Sequence, residues 1–268
     1  MTGAPLRVIV TRPAREAKRW VEALHARGVD AVALPLIEIA PLLPGMSAGP
    51  LDARPYAALM FVSAAAVDGF FALGRAAAPP GRAPTAVELI AQARCWATGP
   101  GTAQALASAG VPLERIDVPP TAAGRFDSEA LWAQVQGQLQ AGARVLRVRG
   151  SDAAGRPAGR DWLASTLEAV GVAVDTAVVY RRLPPQLDEA ARVLAAASAR
   201  SAGHVWLFSS SEAIAHLLAA LPGIDWGGAR AWATHPRIAQ AARAAGFGSV
   251  DEVPASLDAL VASIESFR

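Results

Sequence analysis

Arg94-Cys-Trp-Ala-Thr98-Gly-Pro-Gly-Thr-Ala-Gln-Ala105 returns later in the chain as Arg230-Ala-Trp-Ala-Thr234-His-Pro-Arg-Ile-Ala-Gln-Ala241. Each copy is a short apolar run stopped by a threonine, with a proline two places on and then an alanine-rich stretch. That pattern is a buried strand turning into a helix. Gly110 and Gly246 follow at the same spacing in the two copies, where a left-handed residue ends a helix. Three more pairs recur in the same order. Arg7-Val-Ile-Val-Thr-Arg12 matches Arg144-Val-Leu-Arg-Val-Arg149, each leading into an amphipathic segment that ends at Gly28 or Gly171. Leu59-Met-Phe-Val-Ser63 matches Trp206-Leu-Phe-Ser-Ser210, and Val118-Pro119 matches Val253-Pro254 ahead of an acidic helix start.

Each half therefore reads as five strands alternating with helices. Runs such as Val8 to Val10 and Val205 to Phe208 carry no polar alternation, which suits strands covered by helices on both faces of a parallel sheet. The fold class is α/β, with two similar flavodoxin-like domains built on parallel sheets. The repeat by itself places a boundary near residue 143.

Composition narrows the function. The 268 residues are 53% hydrophobic and 18% charged, with 6% aromatic residues and a mean hydropathy of +0.28, which excludes a mainly disordered chain. Of 25 basic residues Lys18 is the sole lysine, and the arginines are scattered among acidic residues without a basic stripe, so no nucleic-acid partner is expected despite a pI near 9.2. The single cysteine, Cys95, forbids an internal disulfide and any multi-cysteine zinc pattern. The apolar stretch from Leu59 to Leu73 is interrupted by Asp68 and Gly69 and falls short of the roughly 18 residues of a membrane span. No membrane partner and no secretory segment are expected, and the reading is cytoplasmic.

In doubly wound sheets ligands sit beyond the carboxyl ends of the strands. Here those turns are Thr11-Arg12-Pro13, Ser63-Ala64, Thr98-Gly99-Pro100-Gly101-Thr102, Arg149-Gly150-Ser151, Ser209-Ser210-Ser211 and Thr234-His235-Pro236. Each opens a helix whose free N–H groups attract an anion. Any one hydroxyl taken alone is a helix cap. Six such turns with arginines nearby favour a cleft for a large polyanion. Arg147 to Arg160 forms a glycine-rich basic loop suited to carboxylates or phosphates, or a solvated loop. Phosphate-loop, dinucleotide, zinc-protease and serine-hydrolase motifs are absent. Cys95 reads as core, His25 and His216 as helix-surface residues, and His235 as either a cleft residue or a cap.

These segments together resemble the uroporphyrinogen-III synthase family over nearly the whole length. The resemblance rests on Val10-Thr-Arg-Pro13, Leu34-Pro-Leu-Ile-Glu-Ile39, Phe61-Val-Ser63, Gly99-Pro-Gly-Thr-Ala103, Leu146-Arg-Val-Arg-Gly150, Val178-Val-Tyr180-Arg-Arg182, Phe208-Ser-Ser-Ser211 and His235-Pro-Arg-Ile-Ala239. It implies two α/β domains, one discontinuous (residues 1–35 with 185–268) and one continuous (42–176), joined by connector strands at 36–41 and 177–184. It also implies a reaction without a cofactor or metal. Hydroxymethylbilane loses its hydroxyl as water, forms an azafulvene cation, and closes through a spiro intermediate to uroporphyrinogen III with ring D inverted. The implied partners are that substrate and hydroxymethylbilane synthase, which would hand it over to a monomeric enzyme.

Tyr180 matches the family's connector tyrosine and is the catalytic candidate, since a phenol is protonated at pH 7 and can donate to a leaving oxygen. The substrate-binding candidates are Arg12, Ser63, Thr98, Thr102, Arg149, Ser209, Ser211 and His235. Where many relatives have two threonines after the proline, this chain has Arg237-Ile238, so that hydroxyl contact is absent or replaced. The alternative is a non-catalytic two-domain small-molecule binding or regulatory protein. A phosphosugar or nucleotide transferase would need a phosphate loop.

Overall fold

The computed structural model describes residues 6–43, 45–47, 49–79, 81–120, 128–157 and 161–266. The elements run β1 (Arg7–Val10), α1 (Ala14–His25), β2 (Ala31–Ala33), β3 (Glu38–Pro41), β4 (Ala58–Phe61), α2 (Ala64–Ala76), α3 (Ala86–Ile90), β5 (Arg94–Ala97), α4 (Pro100–Ser108), β6 (Ile116–Asp117) and α5 (Ser128–Val135). They continue with β7 (Arg144–Ser151), α6 (Trp162–Ala169), β8 (Ala173–Leu183), α7 (Glu189–Ser198), β9 (His204–Phe208), α8 (Ser211–Ala220), β10 (Arg230–Ala233), α9 (Pro236–Ala244), β11 (Ser249–Glu252) and α10 (Leu257–Ser266). The helical periodicity missed α3 and α7. α3 is five residues long, too short to show a helical period, and the two residues that α7 buries, Ala195 and Ser198, are small.

The chain divides into two compact units, residues 1–38 with 183–268 and residues 39–182. The first holds a parallel sheet in the order β11-β10-β9-β1-β2, and the second a sheet in the order β3-β8-β7-β4-β5-β6. Numbered along the chain within its own unit, the first sheet has the flavodoxin order 2-1-3-4-5. The second, leaving out β3, runs 3-2-1-4-5. In the sequence repeat β1 corresponds to β7, and β4, β5 and β6 to β9, β10 and β11. Corresponding strands occupy the same places in the two sheets, so the arrangement in space is shared and the connectivity is permuted. Each half of the repeat gives strands to both units, and the repeat boundary near 143 is accordingly not a boundary between units.

Local sequence explains the layers. In the second unit one sheet face packs Phe61, Phe70, Phe71, Leu146, Val148 and Leu106 into a core under α2 and α4. The phenylalanine rings meet at centroid distances of 5.5 to 6.4 Å, and each buried ring contributes about 1.5–3 kcal/mol. The opposite face buries Met60, Trp96 and Val145 against Leu131, Leu163 and Leu167 of α5 and α6. In the first unit Val8, Val10, Val205 and Leu207 pack on Trp20 and Leu24 of α1 and on Leu260 and Ile264 of α10. Its other face carries a ring cluster in which Trp206 stacks on Phe208 and Trp226 on Phe247, the two pairs meeting edge to face. Gly28, Gly110, Gly171 and Gly246 all have positive φ just past helices, as the sequence indicates. Among the described residues no helix is long and apolar enough to cross a membrane.

Candidate active site at the carboxyl edge of the second sheet

Five of the six turns singled out in the sequence join a strand to a helix, and in three of them a side chain caps the helix start; α1 and α4 begin at Pro13 and Gly99 without a side-chain cap. Ser63 caps α2, its Oγ accepting the Ala66 N–H at 3.1 Å. Ser210 caps α8 by accepting from Glu212 N. The His235 Nδ1 caps α9, taking the Arg237 N–H at 3.1 Å. The sixth, Arg149-Gly150-Ser151, is not a turn. It continues β7 to Ser151 because β8 extends alongside it as a paired strand.

That extended pairing contains the decisive irregularity. Arg149 pairs with Val178, whereas Gly150 pairs with Tyr180, so β8 carries one extra residue, Val179. Side chains alternate along a regular strand, and a bulge resets the alternation. Ala177 and Val179 face the α2 side of the sheet, and Tyr180, which alternation would send to the other face, joins them in the same cluster. Its ring is 5% exposed. The phenol oxygen lies 3.1 Å from Ser63 Oγ. Because Ser63 Oγ already accepts from α2, its proton is available to Tyr180, and the Tyr180 proton is then available to a third group. The chain of donors begins at a helix N-terminus, whose dipole favours negative charge developing at its end.

The other candidates separate into edge hydroxyls and buried cations. Thr98 donates from Oγ1 to the Val62 carbonyl at 3.2 Å, beside Ser63, and Thr11 does the same for Leu207 in the first unit. Thr102 sits in the first turn of α4, 6% exposed. Ser209 and Ser211 are half-buried around the α8 cap. Arg12 stacks its guanidinium 4.1 Å from the Trp20 ring centroid and donates to Glu16. Burial pushes that guanidinium below its ordinary range against the pull of Glu16.

Arg149 is 2% exposed and donates to Asp161 Oδ1 at 2.9 Å, where Arg147 also donates at 2.5 Å. Burial lowers the Arg149 value, and the hydrogen bond from Arg149, followed by that from Arg147, holds the Asp161 carboxyl below the usual carboxylate range. Sequence reading missed Asp161. The signal available was an acid directly before Trp162 at the start of the helix that follows a strand with two arginines on one face. Of the basic loop, Arg160 lies outside the described residues. His25 and His216 bond the carbonyls of Ala31 and Leu36, and Cys95 is buried in the core. The described residues hold no cluster of three or more metal-ligating side chains.

The sequence matches the profile described as uroporphyrinogen-III synthase HemD over residues 18–262. The chain belongs to the uroporphyrinogen-III synthase family. It is 30% identical over 186 residues to the uroporphyrinogen-III synthase of Chlorobaculum parvum, covering 69% of this chain and 68% of that protein. Two solved uroporphyrinogen-III synthase structures share the fold. The Helicobacter pylori protein has a TM-score of 0.58 at 16% identity, covering 98% of this chain and 100% of that one. A mutant from Thermus thermophilus has a TM-score of 0.52 at 17% identity, covering 97% and 98%. Uroporphyrinogen-III synthases are cyclising lyases of heme biosynthesis, and the motif order read from the sequence leads to the same family.

Proposed function

We propose that Tyr180, with Ser63 behind it, assists departure of the hydroxyl of hydroxymethylbilane. The observation that carries this reading is the 3.1 Å contact between the two hydroxyls at the carboxyl end of a parallel sheet. The C–O bond breaks as the phenol proton passes to the leaving oxygen, water departs, and the pyrrole nitrogen lone pair supports the azafulvene cation. Attack by the substituted carbon of ring D closes the ring through the spiro intermediate. The proton released when the rearranged macrocycle regains aromaticity returns to the phenolate, so protons balance over the cycle. Ser63 stabilises the phenolate by donating to it in the interval.

The rest of the work is holding a bent conformer, because uncatalysed closure gives the wrong isomer. Substrate carboxylates are held by the helix starts at Ser63, Thr98, Thr102, Ser209, Ser211 and His235, while Arg12 and Arg149 supply positive potential from buried positions. In this reading the chain is a cytoplasmic monomer that takes hydroxymethylbilane directly from hydroxymethylbilane synthase, since a free bilane would close unaided. The two folding units serve as its two domains.

A coupled assay tests the reading. Freshly generated hydroxymethylbilane is supplied, the product is oxidised, and isomers I and III are resolved by chromatography. Predominant isomer III is expected. Isomer I alone from a folded sample would favour the binding-protein reading.

A further inference from the structure

One glycine borders the path by which the Tyr180 phenol reaches Ser63, and a second lies against the bulge residue beside it. In the sheet β7 lies between β8, which carries Tyr180, and β4, which ends at Phe61, two residues before Ser63. The ring must therefore cross β7, and it does so over Gly150. A Cβ at Gly150 would stand 2.5 Å from Tyr180 Cζ and 2.9 Å from Cδ2, closer than non-bonded carbons approach. The nearest atoms it would meet all belong to that one ring. On the other side, a Cβ at Gly69 of α2 would stand 2.7 Å from the carbonyl oxygen of Val179, the bulge residue. Glycine weakens a helix interior, so its place there is explained by the close approach of α2, whose first turn Ser63 caps. Neither glycine has the left-handed backbone that would demand glycine on conformational grounds. What each provides is space.

We infer that Gly150 is a positioning residue of the reaction: its missing side chain lets the Tyr180 ring lie across β7 with its oxygen against Ser63. The inference rests on the reading of Tyr180 as the group that assists hydroxyl loss. Gly150 touches no reacting atom and acts only through Tyr180.

The test compares Gly150→Ala, Tyr180→Phe and the double variant, with kcat and KM for hydroxymethylbilane and the tyrosine 13Cζ resonances as readouts. Only Tyr56 and Tyr180 contribute to those resonances, so Tyr180→Phe assigns them. Gly150→Ala is expected to lower kcat by about 10- to 100-fold, as a displacement of the order of 1 Å does. KM should change little, the Tyr180 resonance should move, and the substitution should have no further effect on kcat in the Tyr180→Phe background. An unmoved resonance with normal kcat, or an equal loss of kcat in both backgrounds, overturns the inference while leaving the Tyr180 reading intact. A wild-type rate in Tyr180→Phe overturns the reading itself, and the inference with it. Should Gly150→Ala fail to fold, the thermal melt of Gly150→Ala with Tyr180→Ala decides. A recovered cooperative transition supports the inference, and an unfolded double variant overturns it.

Discussion

The hydroxyl oxygens of Ser63 and Tyr180 lie 3.1 Å apart, although 117 residues separate them in the chain. Adjacent strands are spaced by about 4.8 Å, so a side chain on β8 that reaches the end of β4 spans two such intervals. Only a long, rigid side chain on the correct face can do this. The bulge at Val179 supplies the face, and the phenol ring supplies the length.

Removing the Ser63 hydroxyl tests both of its roles. Ser63→Ala loses the α2 cap, for about 1 kcal/mol of stability. It also loses the donor behind Tyr180, for roughly a 2- to 10-fold fall in kcat. Ser63→Thr keeps both hydrogen bonds and should stay near wild type. Melts alongside initial rates check this, and a full rate in Ser63→Ala would remove Ser63 from the relay.

Asp161 pairs with two arginines that are 2% and 10% exposed, while its own side chain is 66% exposed. Asp161→Asn should cost about 1–3 kcal/mol at pH 7, a range reduced for solvent screening at the carboxylate. The folded carboxyl is held below its ordinary value, so its contribution is complete above the ordinary carboxylate range near about pH 4 and is lost as the pH falls below it. Chemical denaturation of both proteins at pH 7 and near pH 3 should show the difference shrinking in acid. An undiminished difference would contradict the assignment.

Cys95 lies in β5 with 0% exposure, and burial pushes its thiol up to about 12. A thiol reagent at pH 8 should leave it unmodified in the folded protein and label it fully in denaturant. Rapid labelling of the native chain would show that this strand opens easily.

Much of the architecture was written locally. The apolar runs ending in Thr98, Thr234, Ser63 and Ser209 announce buried strands feeding helices, because both the covering of the sheet and the capping of the helix are short-range requirements. The positions of Thr98, Ser63 and His235 just past strand ends, and of Thr102 in the first turn of the helix after one, followed directly. The orientation of Tyr180 was not legible. Ala177-Val-Val-Tyr180 is apolar on both faces and has no alternation to reveal a phase, and the bulge arises only when β8 is paired with β7. For the same reason Arg149 read as a turn residue when it is a strand residue. The permutation of the two sheets is invisible to the repeat, since corresponding segments keep their order while joining different units. Asp161 was overlooked because its significance lies in Arg147 and Arg149, which converge on it only once β7 and the start of α6 are adjacent.

The central claim is that the Tyr180 phenol serves the departing hydroxyl. The direct measurement is the rate of Tyr180→Phe against wild type on hydroxymethylbilane and on an analogue whose leaving group departs without a proton, with melts confirming equal stability. Tyr180→Phe should be roughly 10- to 100-fold slower on the natural substrate and close to wild type on the analogue. An equal deficit on both substrates would contradict the account, because it would place the tyrosine in holding the chain of pyrroles and not in breaking the C–O bond.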